Sequence, residues 1–483
     1  MKAPTLYRAT SLNFLDGGVT LTSALIVSVL LARALGPNRF GLYALVMSIV
    51  MVALLLARLG ISGTVRRFVA ELHARGDRAT ATTVVGRGLR LGFMSGLAGT
   101  ALLALAAAPL AAFFRHAELQ GYLLLGAAMV LPMVLLGVLR SVAGGYQQYR
   151  YLLSLNAITS PLWVLGCVAA IWSGAGVAGV LIASLAIDIA QVAAVGWWVA
   201  TNVGIAWRAR LPDGIASRLA RYNTTLAALI ILNAIVWERS EILFLGRFSA
   251  AGQVALYAVP FALTEKLVDL IPGALLGVLV PSFTFAHSAD PARFGAAFSD
   301  ALRYLAMLTL PICLFGIPLA PAVVQLLYGT SYAGAVVVLQ ILLVSIIFGV
   351  LGQASRSALL GLESPSWLLK TGVAAAVISI ALDFVLIPRY GAVGAAIANT
   401  AVQGFWALTI LAPLWKRIVG GTGGAILKAA SIAIALAGPF FALSRFYPAT
   451  AAAVAAGIVV VAIYGLALQR LHLLNIKEAL RFS

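Results

Sequence analysis

This sequence predicts an all-α polytopic membrane protein of about fourteen transmembrane helices, and three observations predict it. The 483 residues are 62% hydrophobic and only 10% charged, with a mean hydropathy of +1.03. A soluble domain carries about a quarter of its residues as Asp, Glu, Lys and Arg, so this chain cannot cover itself in water. The apolar residues fall in long runs, without the strict alternation of a membrane β-barrel. The basic residues lie mainly in short loops between those runs.

A bilayer core of about 30 Å needs roughly 20 apolar residues per helix. Runs of that order lie at about 11–35, 41–60, 84–112, 119–145, 151–172 and 175–200. After a basic polar linker they resume at about 222–246, 254–286, 296–327, 334–361, 366–387 and 391–415. A last pair lies at about 423–444 and 447–468, before a short basic tail. Lys2 and Arg8 precede the first run, and no small-residue cleavage site follows a short core. That reads as a retained first helix and not as a signal peptide.

Charge orientation tests the count. With the N-terminus inside, the inner loops and tails hold 21 Lys and Arg and the outer loops 6, which satisfies the positive-inside rule. An even number of spans places both termini in the cytoplasm of a cell (inner, cytoplasmic) membrane. The net charge of +18 and pI near 10.4 are thus read as topology signals and contacts with membrane lipid headgroups, with no nucleic acid as partner.

The two halves carry an internal repeat. Ala108-Pro109 recurs as Ala320-Pro321, and Arg140-Ser141 with Gly145 recurs as Arg356-Ser357 with Gly361. Gly179 with Ile182-Ala183-Ser184 recurs as Gly394 with Ile397-Ala398-Asn399. Leu35-Gly36 before Leu42-Tyr43 recurs as Leu245-Gly246 before Leu256-Tyr257. Six spans per half makes the repeat parallel, with a pseudo-two-fold axis along the membrane normal. The expected division is an N-lobe at 1–203 (helices 1–6), a cytoplasmic linker at 204–221, a C-lobe at 222–417 (helices 7–12), and helices 13–14 with a tail at 418–483. Pro132, Pro161, Pro272, Pro281, Pro311 and Pro318 fall inside spans, where each removes a backbone donor and kinks its helix.

Enzyme signals are absent from the sequence. His73, His116, His287 and His472 show no metal-ligand spacing, and no phosphate-binding Gly-rich loop with Lys-Ser/Thr occurs. Cys167 and Cys313 lie in apolar runs and form no disulfide framework. The chain therefore reads as a non-enzyme without a cofactor.

Ionisable residues at membrane depth cost roughly 2.5–3.5 kcal/mol each on insertion scales and mark bundle interiors or wet cavities. Glu238, Arg239 and Glu241, with Glu265, Lys266 and Asp269 one segment later, form the densest such set. Glu265 and Asp269 are four apart and share a helix face, as do Glu238 and Glu241. With Arg58 they are the candidate lining of a polar substrate cavity. A structural ion pair of Arg239 or Lys266 is the competing reading. For Arg140 and Arg356, snorkelling to the inner headgroups is the expectation. Asp16, Asp383, Asn399 and Thr400 are candidates for coupling to Na⁺ or H⁺, since a carboxylate with amide and hydroxyl oxygens suits a small hard cation. Packing hydrogen bonds are the alternative for Asp383, Asn399 and Thr400, and a place at the membrane interface for Asp16; Asp188 is similarly ambiguous.

Four pieces of sequence carry a resemblance. Leu35-Gly36-Pro37-Asn38-Arg39-Phe40-Gly41-Leu42-Tyr43 resembles the turn after the first helix of polysaccharide flippases. Arg58-Leu59-Gly60-Ile61 leading to Arg66-Arg67-Phe68-Val69-Ala70-Glu71 is similar to their second helix and following loop. Leu327-Tyr328-Gly329 with Tyr332, and Ile387-Pro388-Arg389-Tyr390-Gly391-Ala392-Val393-Gly394-Ala395-Ala396, resemble two further pieces in the same order. The chain thus resembles the polysaccharide transporters (O-antigen repeat-unit flippases) of the multidrug/oligosaccharidyl-lipid/polysaccharide (MOP) exporter superfamily. The resemblance implies two six-helix lobes around a cavity and alternating access. It implies as cargo a lipid-linked (undecaprenyl-diphosphate) oligosaccharide for surface polysaccharide, O-antigen or lipopolysaccharide, with polymerase or export proteins as partners. It also places cavity cations on helices that here carry Arg58, Arg239 and Lys266. A Na⁺- or H⁺-coupled multidrug exporter and a non-transporting scaffold of a glycan-synthesis complex are the rival readings.

Overall fold

Helix length decides how many crossings each element makes. The computed structural model describes the backbone of residues 3–58, 60–207, 209, 211–237, 240–270, 272–362, 365–446 and 451–471. The helices are α1 (Ala3–Arg58), α2 (Ile61–Ala74), α3 (Arg78–Phe114), α4 (Leu119–Gly145), α5 (Tyr149–Trp172), α6 (Gly176–Asn202), α7 (Asp213–Trp237) and α8 (Ser240–Phe248). They continue as α9 (Ala251–Leu270), α10 (Pro272–Ala289), α11 (Pro291–Tyr328), α12 (Ala335–Gly361), α13 (Pro365–Leu411), α14 (Thr422–Phe446) and α15 (Ala451–Arg470). Among the described residues nine runs are long and apolar enough to cross a bilayer. Two of them, Leu15–Arg58 with 44 residues and Ser366–Arg417 with 52, are about twice what one crossing needs at 1.5 Å per residue. The nine runs thus make eleven crossings. The described residues of the other three hydrophobic segments are helical too: those of 222–246 fall on α7 and α8, those of 254–286 on α9 and α10, and those of 447–468 on α15. The protein is an all-α, multi-pass membrane protein.

Glycine makes both long helices bend. Gly36 has φ 69° and ψ 171°, and Gly391 has φ 55° and ψ −131°, conformations that only glycine enters freely. Pro37 then starts the second limb of α1 with its φ already set. At Gly391 the Oε1 of Gln253 lies where a Cβ would stand, at 2.6 Å, and accepts the N–H of Ala392 at 3.0 Å. Nothing stands within 4 Å of a Cβ at Gly36. Gly36→Ala is therefore expected to cost backbone strain alone, about 1–3 kcal/mol. Gly391→Ala should cost more, because the glutamine must also give up its bond. Equilibrium unfolding of the two purified variants ranks them, and equal losses would refute the role of Gln253.

The internal repeat is visible in the elements. α4 and α12 are each 27 residues long, and Leu119 and Gly145 at the ends of one match Ala335 and Gly361 at the ends of the other. Gly176, at the start of α6, has φ 56°, and its repeat counterpart Gly391 has φ 55°. In the first half the joint is a turn between α5 and α6, whereas in the second the chain runs on as the bent α13.

By contacts the chain forms two compact units, Met1–Arg247 and Phe248–Ser483. α7 and α8 therefore pack within the first unit, although the sequence repeat counts their segment with the second half. The reason is local. α2 is amphipathic and buries Ile61, Thr64, Val65, Phe68, Val69 and Leu72 along one face. Its exposed edge grips the start of α7. Arg218 donates Nη1 and Nη2 to the two carboxylate oxygens of Glu71 at 2.9 and 2.5 Å. The Arg67 guanidinium lies 4.1 Å from the Tyr222 ring centre, and Thr64 donates to Asn223 at 3.0 Å. The linker is seated as well: Val203, Leu211 and Leu219 join the core built by α2, α3, α4 and α6.

The Arg218 guanidinium holds the Glu71 carboxyl below the ordinary carboxylate range. The native state thus favours the ionised form, so the pair stabilises at pH values above the unfolded carboxyl pKa and fades as pH falls through the lowered one. Solvent screens both partners, so Arg218→Ala should lower stability only slightly at neutral pH and not at all at acid pH. Unfolding curves at the two pH values check this.

Candidate functional site

The first unit carries a chain of polar side chains across four of its helices. α1 contributes Asp16, α4 contributes Arg140, α5 contributes Asn156 and Thr159, and α6 contributes Asp188 and Gln191. Asn156 and Thr159 are three residues apart, as are Asp188 and Gln191, so each pair shares a helix face. Arg140 lies five residues inside the end of α4, about 8 Å along the helix.

The bonds run in series. A single Nη2 of Arg140 donates to Asn156 Oδ1 at 2.6 Å and to Gln191 Oε1 at 2.7 Å. Asn156 Nδ2 donates to Asp16 Oδ1 at 2.7 Å. Gln191 Nε2 donates to Thr159 Oγ1 at 2.8 Å, and that hydroxyl donates on to Leu155 O at 2.9 Å. Asn156, Thr159 and Gln191 are buried, and Asp16 and Arg140 are half-buried. Asp188 lies within electrostatic range of Arg140 and Arg58, and Asp16 within range of Arg140. Two acids thus face two arginines, and protonating either acid leaves the group with one net positive charge.

Arg58 ends α1 beside α4. Its Nη2 donates to Met133 O at 3.2 Å, while its Nε is buried and without a partner among the described residues. Gly137 leaves the room: a Cβ there would stand 3.3 Å from that Nε and 3.1 Å from Ser62 Oγ, which is buried and unpartnered in the same sense. An arginine has five N–H donors in a fixed fork suited to phosphate, and this one keeps a donor unused at the protein interior.

The structure corrects the snorkelling expectation for Arg140, whose guanidinium turns inward to amides on α5 and α6. Arg356, its counterpart in the repeat, is exposed and bonds to Gln353 at 3.4 Å. The second half lacks the partners. Thr371 and Trp406 stand at the repeat positions of Asn156 and Gln191, and Trp406 packs against Gly352. The polar chain therefore belongs to one half of the repeat.

The other sequence candidates are distributed between the two units. Glu241 is buried in α8 of the first unit, and Glu265 and Lys266 are half-buried in α9 of the second. Glu238 and Arg239 lie outside the described residues, as does the side chain of Asp269. Asp383 is fully buried in the first limb of α13, and Asn399 and Thr400 lie on its second limb. The Thr400 hydroxyl is directed at Ala396 O (2.8 Å) and at Ile341 O of α12 (3.3 Å). Asn156, Thr159 and Gln191 escaped the sequence reading because uncharged polar residues are common at membrane helix contacts. The signal that could have found them is the i, i+3 pairing on two adjacent spans.

Comparison with known proteins gives three results. A family model described as polysaccharide biosynthesis protein matches residues 30–337. No curated protein sequence matches. Among solved structures, the lipid II flippase MurJ in an inward closed conformation superposes with a TM-score of 0.75 at 12% identity, covering 95% of this chain and 99% of that one. An inward-facing multidrug resistance MATE family transporter of the MOP superfamily gives 0.70 at 16% identity, covering 84% and 99%. A MOP superfamily transporter from Pyrococcus furiosus gives 0.58 at 17% identity, covering 85% and 94%. At these identities the likeness establishes the fold.

Proposed function

The chain belongs to the polysaccharide biosynthesis protein family and has the fold of MOP transporters, and from that premise we propose that it flips an undecaprenyl-diphosphate-linked oligosaccharide from the cytoplasmic to the outer leaflet. The product feeds surface polysaccharide such as O-antigen. Transport runs by alternating access, in an inner membrane with both termini cytoplasmic.

The observation that carries this reading is the buried polar chain from Asp16 through Asn156 and Arg140 to Gln191. A glycan head has many hydroxyls, each costing several kcal/mol to bury unpaired, and its diphosphate needs cations. Arg58, with its unused Nε, is the residue of the first unit assigned to the diphosphate, and Arg239 and Lys266 are the further cations that the sequence offers for it. Asp16 and Asp188 supply groups that a Na⁺ or H⁺ gradient could charge and discharge against Arg140.

Deleting the gene is expected to leave repeat units built on their lipid and trapped facing the cytoplasm, with surface glycan lost. Complementation by the wild-type chain, and failure by Arg58→Ala at equal expression, would support the reading. Normal surface glycan in the deletion strain would overturn it. Altered dye efflux with intact glycan would move the chain to the multidrug class.

A further inference from the structure

We propose that the two halves each hold one anionic phospholipid of the inner leaflet, in a pair of apolar cavities that lie on corresponding helices of the two halves. The first cavity, of about 580 Å³, lies between α3, α4 and α6 under residues 205–207 of the linker. The second, of about 480 Å³, lies between α11, α12 and the segment 411–423 that leads into α14. Both fall in the size range of small-molecule sites, about 300–1,000 Å³.

The two are built alike. Leu89 and Phe93 line the first from α3, and Leu302 and Ala306 line the second from α11, the counterpart helix of the other half; Leu135 on α4 is matched by Leu351 on α12. Each cavity also has a roof that is tied down to the helix below it. Ala206 donates its N–H to Thr82 O at 3.2 Å, and Val419 donates to Ser299 Oγ at 2.8 Å. In each case the connection crosses a glycine of the helix below: a Cβ on Gly86 would collide with Ala206 O, and one on Gly295 would stand 2.8 Å from Arg417 O.

The mouths choose the ligand. Arg90 lines the first cavity with Arg87 one turn before it, and neither has an acidic partner among the described residues. At the second, Arg303 on α11 pairs with Asp300 at 3.1 Å, and Lys416 and Arg417 add two exposed cations beside the lining Trp415. Each mouth therefore offers two positive charges in excess and an exposed tryptophan, Trp207 or Trp415. Tryptophan favours the headgroup level, and basic pockets between membrane helices on the cytoplasmic side suit anionic heads. An acyl chain fills the apolar cavity and the phosphodiester sits on the cations. This rests on the membrane topology and not on the cargo, so it stands or falls separately from the flippase reading.

The full chain, purified in detergent and offered phosphatidylglycerol or phosphatidylcholine, is weighed by native mass spectrometry. Two phosphatidylglycerols per chain are expected, with phosphatidylcholine washed away. Arg87→Gln with Arg90→Gln should lose one lipid, and Lys416→Gln with Arg417→Gln the other, each site weakening about thirty-fold at roughly fivefold per basic side chain. Gly196→Trp, which fills the first cavity and leaves its cations in place, should also lose one; its Cβ would have only Leu139 nearby, at 3.8 Å. If a variant does not fold, photo-crosslinking phosphatidylglycerol to the wild type must label 89–94 and 302–310. Equal retention of the two lipids, unchanged stoichiometry in the variants, or displacement of both lipids by undecaprenyl phosphate would each overturn the proposal.

Discussion

Alanine at Arg140 is expected to destabilise the protein by about 2–4 kcal/mol and to abolish complementation of the deletion strain. The size follows from what is stranded. Asn156 Oδ1 and Gln191 Oε1 both lose their donor, and Asp16 and Asp188 lose the nearest balancing charge. Single hydrogen bonds between membrane helices average only about 0.6 kcal/mol, so the two bonds alone would give about 1 kcal/mol. Removing one partner from a buried charged group costs roughly 3–5 kcal/mol in soluble proteins, and the half-buried setting of Arg140 brings the total below that. Arg140→Lys should rescue little, because one ammonium cannot hold both amides in the geometry that a planar guanidinium gives. Gln191→Leu, alone and in the Arg140→Ala background, separates the terms: a coupling of about 0.5–3 kcal/mol is expected between the two sites. Unfolding in SDS measures each protein of this cycle. An Arg140→Ala chain within about 0.5 kcal/mol of wild type, the range of an ordinary surface substitution, would mean that the guanidinium is solvated and the polar chain is incidental.

How much of this was legible in the sequence depends on the physics of each feature. Crossing helices are written in hydrophobic length, and among the described residues each segment read from the sequence lies almost wholly on helix. The bend at Gly36 was legible as Gly36-Pro37, since a glycine before a proline can leave the helix and re-enter it. The packing of α7 with the first unit was not, because it hangs on Glu71, Arg218 and Asn223, side chains distant in sequence that any exposed loop could carry. In the polar chain, Asp16 stands out because an acid in a span is costly, whereas the position of Arg140 near a helix end predicts a snorkelling side chain, which the structure does not show. Proximity to the helix end favours snorkelling only when nothing nearer accepts the charge. Two amides on neighbouring helices did, and an amide in an apolar run announces nothing by itself. The repeat made the contrast available afterwards: Arg356 keeps the arginine without Asn156 or Gln191 equivalents, and it goes to the surface.

Asp16→Asn is expected to uncouple transport from the ion gradient while leaving the fold intact. The variant keeps an oxygen for Asn156 Nδ2, so the 2.7 Å bond survives, and stability should move by less than about 1 kcal/mol. What it loses is the negative charge within electrostatic range of Arg140. A coupling free energy of about 1–3 kcal/mol, or roughly a 5–150-fold change in cargo affinity on ion binding, should vanish with it. Asp383→Asn makes the control. A coupling ion has to reach its site and leave it, and Asp383 is fully enclosed whereas Asp16 is half-buried. Thr400 is moreover engaged with two backbone carbonyls. The second-unit candidates are thus expected to matter for packing, so that Asp383→Asn lowers stability and leaves coupling in place. Reconstituted chains, assayed for Na⁺ or H⁺ flux and for its effect on cargo translocation, distinguish the two. Flux lost in Asp383→Asn and kept in Asp16→Asn would place the ion in the second unit and leave the Asp16–Arg140 group as scaffolding.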